Sequence, residues 1–375
     1  MKILFTGGGS GGHFYPIIAV AESIRDIARE KRLLKPELYY ISTDSYNARL
    51  LYDNDIFFKK VQAGKTRRYM SVKNFFDIFK TVAGVFKAII IVFKIYPDVV
   101  FGKGGYASFP VLFAARLLRI PVVIHESDSE PGRVNAWAAK FAVRIAISYP
   151  EAAKFFPEDK VALTGNPVRK EILSTREEGA HEFLKLEVAV PLILVIGGSQ
   201  GAQAINEIII DSLPELVEKY QIIHQTGKAN YETVTTTARI ILEKSPHRDR
   251  YKPFDYLNDL SLRMAGSVAS LVISRAGSSI FEIALWGMPS IIIPIPEKVS
   301  HDQTKNAYNY ARVGACTVIE EQNLSKSILV SEIEHLMSNP KLMESMSQSA
   351  VNFSRPDAAE KIAREILTIA LRHER

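Results

Sequence analysis

The chain has 375 residues, 47% of them apolar, and a formal net charge of +6. Because single hydrophobic cores stop growing near roughly 250–300 residues, a chain of this length is expected to fold as two domains. One cysteine, Cys316, excludes an internal disulfide and a cysteine-based zinc cluster, which favours a reducing compartment.

Membrane signals in the sequence are weak, so a cytosolic protein is expected. The N-terminus has no signal-peptide pattern, because its short apolar stretch runs straight into glycines. The longest apolar run, AIIIVF at 88–93, is far shorter than the roughly 18 residues that a spanning helix needs.

The chain begins with a predicted strand at 2–6, the glycine-rich stretch GGGSGGH at 7–13 and a predicted helix at 17–28. Glycines allow the backbone to approach a ligand closely, and a following helix N-terminus favours phosphate. We therefore expect an anion-binding turn with His13 at its mouth. His13 is either a general base or a first-turn histidine that only hydrogen-bonds the loop.

Two other nucleotide sites compete with this interpretation. Gly7, Gly9 and Gly12 fit the G-x-G-x-x-G pattern of dinucleotide-binding dehydrogenases. Such a site also needs an acidic residue about 20 residues further on, at the end of the second strand. Only Asp44 is available there, and it comes later than this spacing. A P-loop fits less well, because neither this loop nor the glycine loop at 197–201 ends in Gly-Lys-Ser/Thr.

The positive charge is concentrated in the first half of the chain. Residues 1–166 hold 24 Lys and Arg against 15 Asp and Glu, and within them 59–94 holds nine basic residues against one acid. This segment is expected to seek an anionic partner. Basic, aromatic segments also bind nucleic acid, but no nucleic-acid motif is present, so none is expected as a partner.

An aromatic repeat lies inside the basic segment. Phe79, Phe86 and Phe93 recur every seven residues, and each is followed by a lysine. On a helix this pattern sets an aromatic stripe beside a cationic edge, which suits an anionic membrane surface. The alternative is a helix whose apolar face covers the sheet while its lysines face solvent. The residues expected to contact the membrane are Phe79, Lys80, Phe86 and Lys87.

The strand, glycine turn and helix pattern recurs along the chain. It returns at 98–118, with the turn GKGG, and again at 191–213. The stretch at 165–167, Gly-Asn-Pro, breaks regular structure between the halves. These repeats predict two doubly wound α/β domains with parallel sheets.

Another candidate site lies at 274–296. Ser279 and Glu282 match a capping box, which would give both side chains a structural role. Alternatively, Glu282 accepts the hydroxyls of a ribose while amides from Gly277 to Ser279 hold phosphate. The sequence leaves these two roles open.

Eight stretches occur in the order seen in the MurG family, and the chain resembles that family over nearly its whole length. They are GGSGGHFYP (8–16), GKGGYASFP (102–110), IPVVIHES with PGRVN (120–135), TGNPVR (164–169), GGSQGAQAIN (197–206), HQTGK (224–228), SRAGSSIFEIALWGMPSIIIPIP (274–296) and HDQTKNA (301–307).

The resemblance implies a GT-B fold, in which two Rossmann-like, doubly wound domains face each other across a cleft. It implies an N-terminal domain at 1–165 that binds a lipid acceptor and faces the membrane. It further implies a UDP-GlcNAc-binding domain at 166–355 and a C-terminal helix at 356–375 that packs back on the first domain.

Site residues are implied in three groups. The catalytic candidates are His13 and, second, His125. The donor group is Ser10, Gly11, Gly12, Asn135, Arg169, Ser199, Gln200, Leu257, Gly277, Ser278, Glu282 and Gln303. The acceptor and phosphate group is Gly9, Gly12, Gly104, Gly105 and Tyr106. The chain departs from the family at Ser127 and Asp128, where Gln and Asn are common, and at Asp302, where a second glutamine can occur.

The implied activity is inverting transfer of N-acetylglucosamine from UDP-GlcNAc to the 4-hydroxyl of the muramyl sugar of lipid I, giving lipid II for peptidoglycan. Its partners would be UDP-GlcNAc, lipid I and an anionic membrane surface, at the cytoplasmic face of the bacterial membrane. No protein metal ligand is expected, although Mg or Mn could bridge the diphosphate. The alternatives are a UDP-GlcNAc 2-epimerase and a catalytically silent nucleotide-sugar or lipid-binding protein.

Overall fold

The computed structural model describes residues 1–64, 72–173, 178–197, 202–296 and 303–373. The chain divides into two compact units. Unit 1 comprises Met1–Arg169 and Arg355–Arg375, and unit 2 comprises Lys170–Ser354. Each unit holds one parallel sheet with helices on its faces, so the predicted pair of doubly wound α/β domains is confirmed.

Unit 1 has a seven-stranded sheet in the order β3-β2-β1-β4-β5-β6-β7, with every pairing parallel. The strands are β1 (Lys2–Thr6), β2 (Glu37–Ser42), β3 (Ile56–Lys60), β4 (Val99–Gly102), β5 (Val122–Glu126), β6 (Arg144–Ile147) and β7 (Val161–Leu163). Its helices are α1 (Gly11–Glu30), α2 (Ala48–Asp53), α3 (Val72–Ile95), α4 (Phe109–Leu117), α5 (Arg133–Ala138) and, from the chain end, α14 (Ala358–His373).

The core of unit 1 lies on both faces of this sheet. Alternate β1 residues point to opposite faces, so Ile3 packs with α1 and α14 while Leu4 packs with α3 and α4. On α14, Ile362 and Ile366 are buried in the first of these clusters. The helix from the far end of the chain is therefore part of the core of unit 1.

Unit 2 has a six-stranded parallel sheet in the order β10-β9-β8-β11-β12-β13. The strands are β8 (Leu192–Ile196), β9 (Gln221–Gln225), β10 (Tyr251–Phe254), β11 (Ala269–Ser274), β12 (Ser290–Ile292) and β13 (Cys316–Val318). The helices are α6 (Ala180–Phe183), α7 (Gln203–Lys219), α8 (Tyr231–Ile241), α9 (Asp259–Val268), α10 (Ser279–Leu285), α11 (Thr304–Arg312), α12 (Lys326–Met337) and α13 (Pro340–Phe353).

Both sheets reverse their strand order at one point, between β1 and β4 in unit 1 and between β8 and β11 in unit 2. Ligands of doubly wound sheets bind beyond the carboxyl ends of the strands at such a point. The glycine turns at 7–12 and 103–105 follow the two strands at the switch point of unit 1. The turn at 275–278 follows β11 in unit 2. The fold therefore brings the predicted turns to these two edges.

Candidate active site

The first glycine turn positions His13 at the start of α1. Ser10 is the residue before the helix, and its carbonyl accepts hydrogen bonds from the amides of His13 and Phe14 at 3.1 and 3.2 Å. The Ser10 hydroxyl does not cap the helix; its Oγ lies 2.8 Å from Nδ1 of His13. His13 is half-buried, so its ring is held by the loop and still reaches solvent.

The second glycine turn packs directly on the first. Gly104 and Gly105 have φ values of 85° and 78°, which favour glycine. A Cβ atom on Gly105 would lie 3.0 Å from the carbonyl oxygen of Gly8 and 3.4 Å from Nε2 of His13. Nε2 of His13 is therefore on the side of the second turn, as expected if the two turns share one ligand.

Tyr106 completes this arrangement. It opens a single 3-10 turn, Tyr106–Ser108, and a Cβ on Gly9 would lie 3.2 Å from its Cε1 atom. The structure thus brings together the predicted acceptor group. The nearby Ser10, Gly11 and Gly12, predicted to bind the donor, also lie in unit 1 at this turn.

The end of β5 is fixed by a buried carboxylate. Glu126 accepts hydrogen bonds from the amides of Asp128 and Gly132, each at 3.0 Å, and from Nδ2 of Asn135 at 2.9 Å. Asn135 is buried on α5, and a Cβ on Gly104 would lie 2.8 Å from Nδ2 of Asn135. Asn135, predicted to reach the sugar, is therefore packed beneath the second glycine turn.

His125 does not have the surroundings of a catalytic base. Its side chain is completely buried, and Nε2 lies 3.0 Å from the carbonyl oxygen of Gly165. Burial, together with the nearby Lys103 cation, holds the pKa of His125 well below its usual range. A neutral ring without exposed surface cannot touch an acceptor hydroxyl, so the hypothesis that His125 is a second base is not supported. We assign it to holding the 164–166 segment.

Two oppositely charged groups are buried at this edge. Burial lowers the pKa of Lys103 to about 8, an effect opposed by the negative charges of Glu126 and Asp128. Burial, reinforced by Asp128, raises the pKa of Glu126 to about 7 against its three hydrogen bonds. Sequence reasoning missed Lys103. The available signal was a lysine directly after the apolar strand VVFG, where a side chain is expected to be buried.

Arg169 also belongs to this unit. Its guanidinium carbon lies 4.0 Å from the centre of the Tyr15 ring, a cation–π contact, and its side chain is almost completely buried. The structure places Arg169 beside α1, within unit 1.

In unit 2, the turn after β11 lies beside the start of α11. A Cβ on Gly277 would lie 3.6 Å from Nε2 of Gln303, and Oε1 of Gln303 accepts a hydrogen bond from the amide of Ile295 at 3.3 Å. Nδ2 of Asn306 donates to the carbonyl of Ala276 at 3.3 Å, which ties α11 to the same turn. Two predicted donor residues, Gly277 and Gln303, are thus neighbours.

The capping-box interpretation of Ser279 is wrong. The residue before α10 is Ser278, and it makes no side-chain capping bond. The Ser279 hydroxyl lies 2.9 Å from that of Ser274 and donates to the carbonyl of Arg275 at 3.2 Å. Glu282 is half-buried in the first turn of α10. The helix N-terminus and an acidic side chain therefore meet at this edge, as a nucleotide site requires.

The structure says less about the remaining predicted donor residues. Leu257 is buried, and its amide donates to Oε1 of Gln225 at 3.0 Å, so that amide is already engaged. Ser199 and Gln200 lie outside the described residues, as do Lys65, Arg67 and Arg68 of the basic segment.

The aromatic stripe of α3 faces away from the sheet. Phe79, Phe86 and Phe93 are 61%, 65% and 64% exposed, whereas Ala88 and Val92 are fully buried. Lys80 and Lys87 are exposed as well. The helix therefore covers the sheet with an apolar face of smaller residues and turns its lysines to solvent, as the alternative expects. The phenylalanines are not part of that face, so their contact with a membrane stays a prediction.

Two further properties concern the described part of the chain. None of its helices combines the length and apolar character that crossing a bilayer requires. Within the same residues, no group of three or more His, Cys, Asp or Glu side chains could hold a metal ion.

Comparisons with known proteins identify the family of both halves of the chain. The model of the glycosyltransferase family 28 N-terminal domain matches residues 3–147, and that of the family 28 C-terminal domain matches 192–362. A UDP-N-acetylglucosamine–N-acetylmuramyl-(pentapeptide) pyrophosphoryl-undecaprenol N-acetylglucosamine transferase from Clostridium novyi is 35% identical, over 94% of this chain and 95% of its own. The enzyme of the same name from Clostridium kluyveri is 36% identical, over 96% and 97%.

Solved structures show the same fold. MurG of Acinetobacter baumannii matches with a TM-score of 0.72 at 26% identity, over 98% of this chain and 99% of that one. A UDP-GlcNAc 2-epimerase from Neisseria meningitidis bound to UDP-GlcNAc matches with a TM-score of 0.69, over 98% and 100%. Its identity is 15%, so this second likeness concerns the fold alone.

Proposed function

The chain belongs to glycosyltransferase family 28 and, within it, to the MurG family of GT-B enzymes; from this premise we propose how its residues perform the reaction. The activity is transfer of N-acetylglucosamine from UDP-GlcNAc to undecaprenyl-pyrophosphoryl-MurNAc-pentapeptide, or lipid I, which gives lipid II. The observation that carries this conclusion is 34–37% identity to transferases of that name over 90% or more of the chain.

Unit 2 binds the donor in this proposal. Gly277 and Ser278 present amides at the N-terminus of α10, where the helix dipole favours the diphosphate of UDP. Glu282, one turn further, accepts the ribose hydroxyls, and Gln303 beside Gly277 contacts the sugar. Two observations support this proposal. Gly277 and Gln303 lie side by side, and the Ser279 hydroxyl bonds Ser274 and Arg275 instead of capping the amides at the start of α10.

Unit 1 binds the acceptor. The turns at 7–12 and 103–105 follow adjacent strands, and their glycines present backbone amides without a side chain, which suits the lipid diphosphate. His13, held by Ser10, takes the proton of the muramyl 4-hydroxyl as that oxygen attacks the anomeric carbon of the donor sugar. Attack opposite to UDP inverts the anomeric configuration. The donor roles expected for Ser10, Gly11, Gly12, Asn135 and Arg169 stay predictions.

The leaving UDP gains negative charge as the glycosidic bond to it breaks. Preorganised amides at the start of α10 stabilise that charge without a protein-held metal. A Mg or Mn ion bridging the diphosphate stays a prediction, and adding EDTA to the assay checks it.

The exposed face of α3 docks on the membrane that carries the acceptor. Phe79 and Phe86 supply apolar surface, and Lys80 and Lys87 supply positive charge for anionic lipids. This arrangement supports a peripheral position at the cytoplasmic face of the bacterial membrane.

The test separates transfer from epimerisation, because both activities consume UDP-GlcNAc. Purified protein is incubated with radiolabelled UDP-GlcNAc and detergent-solubilised lipid I, and the label is followed into the lipid and aqueous fractions. The transferase moves the label to the lipid fraction only when lipid I is present. Label that stays in the aqueous fraction as N-acetylmannosamine would support the epimerase and overturn the proposal.

A further inference from the structure

We propose that Tyr46 is an acceptor-recognition residue: its phenol hydroxyl, held beside Gly11 of the first glycine turn, donates a hydrogen bond to the diphosphate of the lipid acceptor. The inference deepens the proposed function and rests on it, because that proposal places the acceptor diphosphate at this turn.

Tyr46 lies in the connection from β2 to α2, next to the first glycine turn. β2 pairs with β1, and the Tyr40 hydroxyl on β2 donates to the carbonyl of Gly7 at 2.9 Å. β4, which leads into the second glycine turn, pairs with the opposite edge of β1. The first turn is therefore flanked by the second turn on one side and by the β2–α2 connection on the other.

The side chain of Tyr46 reaches across to the start of α1. A Cβ atom on Gly11 would lie 2.8 Å from the Tyr46 hydroxyl oxygen, so the glycine leaves room for the phenol. The Tyr46 ring packs against the rings of Phe14 and Tyr15, whose centroids lie 5.1 and 5.8 Å away. Because Phe14 is completely buried in the core of unit 1, these contacts fix the direction of the hydroxyl.

The hydroxyl itself is uncommitted. Among the described residues none hydrogen-bonds it, and the backbone amide of Tyr46 donates to Oδ1 of Asp44 at 2.9 Å. The residue is 36% exposed, so a ligand at the turn can reach it. A phenol donates one hydrogen bond, and bonds to a charged acceptor are the strong ones. Tyr46 can therefore donate to a phosphate oxygen without giving up a bond within unit 1.

The backbone of Tyr46 is in a conformation that glycine would adopt more readily. Its φ is 53°, in the left-handed region that is unfavourable for a bulky side chain. Two contacts hold this conformation: the amide bond to Asp44, and Asn47, whose side chain caps α2 by accepting from the amide of Leu50 at 3.1 Å. The position therefore supplies a phenol at the turn where the backbone alone would favour glycine.

The side of the turn indicates which acceptor group Tyr46 contacts. Nε2 of His13 lies toward the second glycine turn, so the proposed attack by the muramyl hydroxyl takes place on the β4 side. Tyr46 approaches the same turn from the β2 side, at Gly11. It therefore contacts the diphosphate rather than the reacting sugar. The donor contacts of the proposal lie in unit 2, so donor affinity should not depend on Tyr46.

The experiment compares Tyr46→Phe, which removes only the hydroxyl and keeps the ring, with the wild type. The control is Tyr52→Phe, because Tyr52 is 83% exposed on α2 of the same unit. Microscale thermophoresis measures binding of detergent-solubilised lipid I without any donor. The same titration with undecaprenyl diphosphate, which lacks the sugar and the peptide, isolates the contact to the diphosphate. Calorimetry with UDP-GlcNAc and steady-state kinetics complete the set.

Tyr46→Phe should bind lipid I and undecaprenyl diphosphate about 10–100-fold more weakly, the usual effect of losing one hydrogen bond to a charged group. The KM for lipid I should rise by the same factor. The kcat at saturating lipid I and the affinity for UDP-GlcNAc should match the wild type. Tyr52→Phe should match it in every measurement. Tyr46→Gly, which accepts the same φ without strain, should lose at least as much lipid affinity as Tyr46→Phe.

Unchanged lipid I affinity in Tyr46→Phe or in Tyr46→Gly would overturn the proposal. So would a loss confined to UDP-GlcNAc, a loss for lipid I that undecaprenyl diphosphate does not share, or a wild type that binds neither lipid. The binding measurements contain no donor and need no turnover. A chain that binds both lipids through Tyr46 but transfers no sugar would therefore refute the proposed function while leaving the contact intact.

Discussion

The Ser10 hydroxyl oxygen lies 2.8 Å from Nδ1 of His13 at the start of the first helix. When Nδ1 carries the proton and donates to this hydroxyl, Nε2 has the lone pair that a general base needs. Nε2 is also the atom nearest the second glycine turn. This hydrogen bond therefore fixes the orientation of the ring and is compatible with the tautomer that a base acting through Nε2 needs.

His13→Ala is expected to lower kcat by about 10²–10⁴-fold, the usual contribution of a general base. Ser10→Ala should lower kcat by about tenfold or less, since one neutral hydrogen bond contributes roughly 0.5–1.5 kcal/mol. Steady-state kinetics with lipid I checks both. His335→Ala, an exposed histidine of unit 2, is the control and should leave kcat unchanged. Wild-type turnover in His13→Ala would remove His13 from the mechanism.

Glu282→Gln should weaken UDP-GlcNAc binding by about 10–100-fold, because hydrogen bonds to a charged acceptor contribute roughly 1.5–3 kcal/mol. Isothermal titration calorimetry with UDP-GlcNAc measures this effect without the acceptor. Glu344→Gln changes an exposed carboxylate on another helix and should bind as the wild type does. Equal affinities for the two variants would mean that Glu282 does not contact the donor.

Gly104→Ala should destabilise unit 1 by at least about 1–2 kcal/mol and reduce activity, because the residue has φ of 85° and a Cβ would press on Asn135. Thermal unfolding and kinetics check the two effects. Gly132→Ala is the matched control, since a Cβ there meets nothing within 4 Å and its φ is −63°. If both variants behave alike, the conformation of the 103–105 turn is not what matters.

Replacing Phe79 and Phe86 by serine should abolish most binding to anionic vesicles while leaving turnover of detergent-solubilised lipid I intact. Each exposed ring contributes apolar area that is buried only at a membrane surface. Vesicle co-sedimentation, with neutral vesicles for comparison, measures the effect. Phe183→Ser, an exposed phenylalanine of unit 2, should bind vesicles normally. Undiminished binding of the double serine variant would exclude this face as the contact.

The difference in unfolding temperature between the Lys103→Met/Glu126→Gln variant and the wild type should depend on pH and should favour the variant most between pH 7 and 8. From the ordinary Glu pKa of 4.5 up to about 7, the folded wild type binds more protons at Glu126, so its stability falls as pH rises. Between about 8 and the ordinary Lys pKa of 10.5, the unfolded chain binds more protons at Lys103, so stability rises again.

The ionised groups therefore cost most stability between these two ranges, so the comparison should favour the variant more at pH 7–8 than at pH 5 or 10. Unfolding midpoints measured from pH 5 to 10 check the dependence. A difference between the two proteins that does not vary with pH would contradict the raised pKa of Glu126 and the lowered pKa of Lys103.

The strand–turn–helix repeat was enough to predict both sheets, because alternating apolar strands and helices have few packing solutions. It also located the turns, since glycine-rich connections follow β1 and β4. Burial was harder to predict. The sequence offers His125 as a second catalytic candidate, yet β5 is covered on both faces and the ring is buried. The sequence also leaves open which face of α3 meets the sheet, and Ala88 and Val92 fill that face while the phenylalanines are exposed. Periodicity identifies a helix face but does not say which face meets the sheet.

The most direct measurement is the ratio of UDP released to N-acetylglucosamine recovered in the lipid fraction, with and without lipid I. A transferase that uses lipid I gives a ratio of one and releases no UDP without the lipid. UDP released without lipid I, or sugar recovered only in water-soluble form, would contradict the assignment of the chain as a transferase that uses lipid I.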